Sequence, residues 1–294
     1  MVIIGTHSGF FHADDVFAVA TLTILKPNYQ IVRSRDPEVL KECDYLVDVG
    51  GIYNPSKDCF DHHFNHGPTY GDGLLKSSFG LVWEKYGWEV CHNNKEVYYK
   101  VRQKLVRPID AADNGVMVYQ KLPDALDVNQ LSLSSLIAHM NPPSVDDADE
   151  FFERQVSWAR GVIHQYIAHA NKSAMARPIV QTALLQAKME NRQYIELSAA
   201  CRWQEHLFKL DRDENILFVV YPHQNQWYSI AVPSKNDSFA SRKDFPKKWA
   251  GLRNEEFAEE LGLEDAVFCH HSSFIAACTS RESTLEMTKM AIDS

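Results

Sequence analysis

At 294 residues, with 45% hydrophobic and 23% charged side chains, the chain is long enough to bury a sizeable core, and its length suggests two domains. A formal charge of −9 excludes a protein that coats nucleic acid by charge alone, because such binding comes from Lys and Arg neutralising phosphates, yet it leaves phosphate chemistry at a metal site open. Apolar runs far below the ~18 to 20 residues of a membrane span, an N-terminus that reads as a strand rather than a leader, and six cysteines without a CxxC or an even framework point to a cytoplasmic protein with reduced thiols and no membrane partner.

Val2-Ile3-Ile4-Gly5 is a short buried-strand pattern, and it runs into a polar loop that carries His7, His12, Asp14 and Asp15. Val16, Val19, Ala20 and Leu22 then recur at helical spacing, so the first elements are strand, loop and helix, with Asp14 or Asp15 at the cap position. Gln30 to Arg33 predicts a second strand, Pro37 to Lys41 a short helix, and Tyr45 to Val49 a third strand with Asp48 at its carboxyl end, followed by Gly50 and Gly51. A further short strand over Asp58 to Phe60 ends in the triplet Asp61-His62-His63. Helices are predicted around Ser77 to Tyr86, from a cap at Asn94 through Leu105 into Ile109-Asp110-Ala111-Ala112-Asp113, and over Leu131 to His139.

After Asn141-Pro142-Pro143, the residues Phe152, Val156, Ala159, Ile163 and Ile167 repeat at about 3.6 residues and predict a long amphipathic helix, the connector between domains. From Arg177-Pro178 the composition turns β-like, over Ile179 to Leu185, Ile216 to Tyr221 and Trp227 to Val232, which marks a second domain. Between Ser241 and Arg253, five Lys and Arg residues interleave with Phe245 and Trp249, a segment that suits an anionic substrate or is simply a solvated loop. Asn254 is a candidate cap for a helix that Gly262 ends, Ala266 to Ala277 reads as two strands around a polar turn, and Thr279 with Glu282 forms a capping box. The expected division is 1–145, a connector over 146–176, and 177–294.

Four clusters of His and Asp follow short apolar segments, and none of them contains Cys. In open α/β sheets ligands gather beyond the carboxyl ends of strands, so His7, Asp14 and Asp48 can meet although they are far apart in the chain. Oxygen and imidazole donors without thiolate suit Mn²⁺ first and Mg²⁺ second, and the number of candidates exceeds what one ion requires. Two divalent metal ions are therefore expected, with His7, His12, Asp14, Asp48, His62, Asp110 and Asp113 as candidate ligands and Asp48 as the bridge. There is no H-E-x-x-H helix, Walker A loop, G-x-S-x-G elbow or G-x-G-x-x-G turn.

The clusters resemble the successive motifs of the DHH phosphoesterase superfamily. More specifically, G-T-H-S-G-F-F-H-A-D-D, V-D-V-G-G-I-Y-N-P, F-D-H-H-F, I-D-A-A-D-N-G and F-P-K-K-W-A-G-L-R-N-E-E are similar to the MYG1 (UPF0160) family over essentially the whole chain. The resemblance implies an α/β fold: a DHH-type domain with a parallel-rich sheet flanked by helices, and a smaller α+β C-terminal domain that binds substrate. It implies a metal-dependent phosphodiesterase of 3′-to-5′ exonuclease type, acting on RNA, short oligonucleotides or a nucleotide, with a homodimer left open. On it, Asp48, Asp61 and His63 are the catalytic candidates, and His63, Arg253, His271 and Arg281 would meet substrate. A stretch the family writes H-A-S-G-F-I-G-G stands here as His271 to Ala277, with Ala276 and Ala277 in place of glycines. The competing expectations are a hydrolase of a small nucleotide or a non-phosphate bond, and a nucleotide-binding module without turnover.

Overall fold

A computed structural model describes residues 1–64, 66–116, 131–235 and 238–294. The chain divides into two units, Met1–Asn171 and Lys172–Ser294. The first opens with β1 (Val2–Thr6), α1 (Ala13–Leu25), β2 (Tyr29–Arg33), α2 (Pro37–Leu40), β3 (Tyr45–Val47), β4 (Tyr53–Asn54) and β5 (Cys59–Phe60). Across the sheet the order is β2-β1-β3-β5-β4; β1 pairs with β2 and β3 in parallel, β3 pairs with β5 in parallel, and β4 forms an antiparallel edge. The parallel-rich sheet is the expected one. Its inner strands read as continuous apolar runs because parallel strands are covered on both faces.

Helices α3 (Ser78–Val90), α4 (Lys95–Val101), α5 (Arg107–Asp113) and α6 (Leu133–His139) complete most of this unit. Every residue of α1 from Ala13 to Thr23 is buried, and α1 packs against α3, α5 and α6. A helix apolar on all sides needs such neighbours. Between α4 and α5 one wide turn over 102–106 lets Arg107 N–H reach back to Arg102 O, immediately before Pro108, which has no N–H to continue a regular ladder.

The predicted long helix exists, as α7 (Ala148–Met189), with Phe152, Val156, Ala159 and Ile163 buried as the periodicity required. It extends further than expected. Pro178 lies inside it, and Ile179 to Leu185 is helical rather than a strand. Val180, Ala183, Leu184 and Ala187 show why: their spacing of three and four residues buries them together on one helical face, and that burial outweighs a lost backbone hydrogen bond at Pro178. The division between units falls within α7, inside the span expected as a connector.

The second unit holds β6 (Tyr194–Glu196), α8 (Gln204–Leu210), β7 (Phe218–His223), β8 (Gln226–Ala231), α9 (Asn254–Leu261), β9 (Ala266–Cys269), β10 (Ile275–Cys278) and α10 (Arg281–Asp293). Their sheet runs β6-β7-β8-β10-β9, antiparallel except for β6 with β7. Side chains alternate between two cores, one including Phe218, Val220, Phe257 and Met287, the other Val219, Ile195, Val180 and Leu207. Gly262, at φ +68°, ends α9 as predicted, while the caps stand one residue from the expected ones, at Arg253 for α9 and at Ser280 for α10, where Ser280 accepts from Ser283 N–H at 3.2 Å. No helix among the described residues is long and apolar enough to cross a membrane.

Candidate active site

Strands β1, β3 and β5 are neighbours in the sheet, and each ends one residue before a candidate ligand: Thr6 before His7, Val47 before Asp48, Phe60 before Asp61-His62-His63. Parallel strands present their carboxyl ends on one edge, which is how residues about 50 positions apart come together. Asp48 leaves β3 in the left-handed region at φ +56°, and Gly50 and Gly51, at +94° and +67°, complete the reversal. A non-glycine residue held there costs about 1 kcal/mol or more and persists because its surroundings fix it. The loop before α1 is pinned by Asn141, whose side chain accepts from Phe11 N–H at 2.9 Å and donates to Phe11 O at 2.8 Å.

His12, not Asp14 or Asp15, occupies the cap position of α1, and Asp15 Oδ1 accepts from His12 N–H at 3.0 Å. His7 Nε2 lies 3.0 Å from Asp15 Oδ2 and 3.3 Å from Asp48 Oδ2. His62 Nε2 lies 3.2 Å from Asp48 Oδ1, 3.4 Å from Asp113 Oδ2 and 3.6 Å from Asp14 Oδ2. Three groups with the spacing of metal ligands result, His7/His12/Asp48, Asp48/His62/His63 and Asp14/His62/Asp113, and Asp48 belongs to two of them. His63, 64% exposed in its side chain, is held by Asp61 Oδ1 at 2.8 Å, while Asp61 Oδ2 accepts from Gly51 N–H at 2.6 Å.

A family model described as Uncharacterised protein family (UPF0160) matches residues 3–292. The chain belongs to the UPF0160 family. Relatives include a MYG1 protein of Caenorhabditis elegans, 31% identical with 99% of this chain and 95% of that protein covered, and one of Schizosaccharomyces pombe, 34% identical with 100% and 98% covered. A human relative bears the name MYG1 exonuclease and is 32% identical, with 98% of this chain and 85% of that protein covered. Among solved structures, a RecJ from Thermus thermophilus in complex with Mn²⁺ is similar at TM-score 0.31 and 13% identity, over 99% of this chain and 52% of that one.

Electrostatics test whether the cluster of this UPF0160 chain suits a cation. Asp14 is fully buried, and neither of its oxygens accepts a hydrogen bond, whereas Asp15 Oδ2 faces the His7 imidazole at 3.0 Å. A buried carboxylate without a hydrogen-bond donor is costly unless a cation faces it. Burial first, then the charges of Asp48, Asp113 and Asp15, push the Asp14 carboxyl well above the usual range, and burial raises Asp113 as well. Burial alone would lower His7, but Asp15 and Asp48 override it and hold the imidazole at about 10. Burial would raise Asp48, yet His62 and His7 hold it below the usual carboxylate range. The cluster thus gathers more carboxylate than its own imidazoles offset, and the hard oxygen and imidazole donors fit Mn²⁺ or Mg²⁺. His7 Nδ1 lies 3.1 Å from Ser8 O and donates to it, which turns Nε2 toward the carboxylates in the tautomer a metal requires.

Metal binding must then expel protons, so affinity for Mn²⁺ is expected to rise with pH across the neutral range, where unliganded His7 still holds its proton. Titration calorimetry at one pH in buffers of different ionisation enthalpy would measure the release; identical heats in all buffers would contradict it.

One predicted ligand lies outside the three groups. Asp110 is buried, with Oδ2 accepting from Tyr70 O–H at 2.6 Å and Oδ1 from Ser77 O–H at 2.7 Å and Gly80 N–H at 3.1 Å, so its oxygens are committed to the start of α3 and the loop before it, and it joins none of the ligand groups. Burial pushes its carboxyl up to about 7 against those donors. In the second unit, Arg281 is engaged bidentately by Glu196, and the exposed Arg253 lies 5.8 Å above the Phe268 ring. His271 is exposed, its ring tilted against that of His270 with centroids 4.1 Å apart. Ala276 and Ala277 are buried inside β10. The basic segment is not an aromatic-cationic strip, because Phe245 and Trp249 are core residues, Arg242 is buried against Asp211, and Lys248 pairs with Glu260. Sequence reasoning missed Ser78, which donates to Asp48 Oδ1 at 2.9 Å. Its position at the first residue of α3 was the available signal, since first-turn hydroxyls sit beside whatever a helix start faces.

Proposed function

We propose that this protein is a metal-dependent phosphodiesterase that shortens RNA or short oligonucleotides from an end, with two divalent ions, Mn²⁺ first and Mg²⁺ second. The observation that carries this is the buried carboxylate cluster around Asp48, with its unpartnered Asp14 oxygens, in a family whose human relative is named an exonuclease. His7, Asp14, Asp48, His62 and Asp113 are cast as the ligands, with His12 at the exposed side. Asp48, with Oδ2 toward His7 and Oδ1 toward His62, is the shared one. Bound divalent ions would neutralise charge on the phosphate and make a water acidic enough to attack at neutral pH.

The chain's own residues prepare the rest. Ser78 fixes the Asp48 carboxylate, and the Ser8 carbonyl fixes the His7 tautomer. Asp61 holds His63 at Nδ1, which leaves Nε2 free to donate to a phosphate oxygen when the ring is protonated. Asp61 is therefore a positioning residue rather than a group that touches substrate. His63→Ala is expected to keep its metal content while kcat falls about a hundredfold, within the usual range for losing a positioned donor at a developing charge. Loss of metal instead would recast His63 as a ligand.

The deciding experiment pairs elemental analysis of the purified protein with Mn²⁺-dependent cleavage of an end-labelled short RNA. About two ions per chain and stepwise shortening are the expected result, as for two-metal hydrolases. Metal without cleavage of RNA, dinucleotides or simple phosphodiesters would overturn the nuclease assignment, and a protein that binds no divalent ion would overturn the site itself.

A further inference from the structure

A cleft of about 510 Å³ adjoins the cluster within the first unit, large enough for a small ligand. Its polar end is formed by His7, His12, Asp48, Asp61 and His63; Asp14, His62 and Asp113 do not line it. The rest of its lining is of different chemistry. Leu40 and Leu46 form an apolar wall beside the β3 turn, and Ile52, 54% exposed, stands against open solvent. At the rim lies Arg35, exposed and, among the described residues, without a hydrogen bond or ion pair. Arg33, two residues earlier, differs: it is spent on Gly9 O at 2.6 Å and on Asp149 at 2.9 Å.

An inorganic phosphate or a small charged ester would use the polar end only. It would gain nothing from a wall of Leu and Ile. A nucleotide would use the whole cleft, because its phosphate is anionic, its base has weakly hydrated flat faces that gain by apolar burial, and the phosphate of an adjoining nucleotide suits a free guanidinium. We infer that this cleft is a subsite for one terminal nucleotide of a single-stranded substrate, its phosphate at the Asp48/His63 end, its base against Leu40, Leu46 and Ile52, and Arg35 on the phosphate of the next nucleotide. The inference rests on the phosphodiesterase reading for the direction of the phosphate, but it is a statement about binding and is tested by binding. A polynucleotide engages both the wall and Arg35; a free mononucleotide engages the wall alone.

The test uses the full chain with Mn²⁺ and three probes: inorganic phosphate, AMP, and an RNA hexamer made hydrolysis-resistant by phosphorothioate linkages. The intact protein is expected to bind AMP about tenfold more tightly than phosphate, the gain from burying a base. Ile52→Ser, at an exposed position that should not disturb folding, is expected to cut that ratio about threefold. Arg35→Ala is expected to weaken the hexamer about tenfold and to reduce the salt dependence of its binding, while the ratio of AMP to phosphate affinity moves little. Equal affinities for AMP and phosphate in the intact protein would overturn the subsite, even in a protein that degrades RNA. Unaltered hexamer binding by Arg35→Ala would remove the second half of the proposal. A protein that shows the predicted affinities yet cleaves no RNA would sink the nuclease assignment and leave the nucleotide subsite standing.

Discussion

Asp48→Asn is expected to lower Mn²⁺-dependent kcat/KM by about a thousandfold or more, and to leave the metal-free protein folded. Asp48 is the only carboxylate shared by two of the three ligand groups found among the described residues, with one oxygen toward His7 and the other toward His62. Removing its charge weakens both groups at once, and metal charge stabilisation is worth several kcal/mol at about 1.4 kcal/mol per tenfold in rate. Asn is the appropriate replacement. It keeps the shape and the hydrogen bond from Ser78, and it tolerates the left-handed backbone at φ +56° better than Ala would. Two effects on folding without metal oppose each other: the substitution takes the charged partner from His7 and His62, and it removes one negative charge from beside Asp14, which Asp48 destabilises. Elemental analysis should find clearly less metal per chain than in the unaltered protein, and a circular dichroism melt in chelator should find a similar midpoint. Full activity in the variant would overturn the shared-ligand assignment.

What was legible from the residues follows the strength of local signals. His7, Asp48 and the Asp61-His62-His63 triplet stand at the ends of short apolar runs, and a parallel sheet presents such ends on one edge, so strand recognition was enough to put them on that edge. The strand order, and with it the adjacency of β1, β3 and β5, has no local signature and comes from long-range pairing. The extension of α7 past Pro178 was hidden because Pro and β-branched residues argue against a helix locally, whereas the packing of Val180, Ala183, Leu184 and Ala187 decided for it. Phe245 and Trp249 resembled a binding strip for a related reason: an aromatic between lysines looks the same in sequence whether it stacks on a ligand or fills a core, and here it fills a core. Asp14 and Asp15 could not be separated by position, since both lie in the first turn of α1. Their partners separate them: Asp15 serves the backbone of His12 and faces His7, while Asp14 has no hydrogen bond and faces His62.

Asp110 and Asp113 are separated by an experiment with opposite readouts. They stand three residues apart on α5, close to one helical turn, so composition and spacing assign them the same chemistry. Asp110 accepts from three buried donors, Tyr70 in the loop before α3 and Ser77 and Gly80 at its start, and a side chain added at Gly80 would put its Cβ 2.1 Å from Asp110 Oδ2. Asp110→Ala therefore strands three donors and opens a void. At about 1 to 3 kcal/mol for each buried donor left unpaired, partly relieved by water, the expected loss is about 4 kcal/mol. Thermal unfolding of the metal-free protein should then begin roughly 10 °C lower for a unit of this size. Asp113 offers Oδ2 to His62 at 3.4 Å, and burial already raises its carboxyl. Asp113→Ala takes away a carboxylate that crowds Asp14, so the metal-free protein should keep its melting midpoint while Mn²⁺ no longer raises it as it does in the unaltered chain. A destabilised Asp113→Ala, or an Asp110→Ala that melts normally but no longer binds metal, would exchange the two assignments and make Asp110 the ligand.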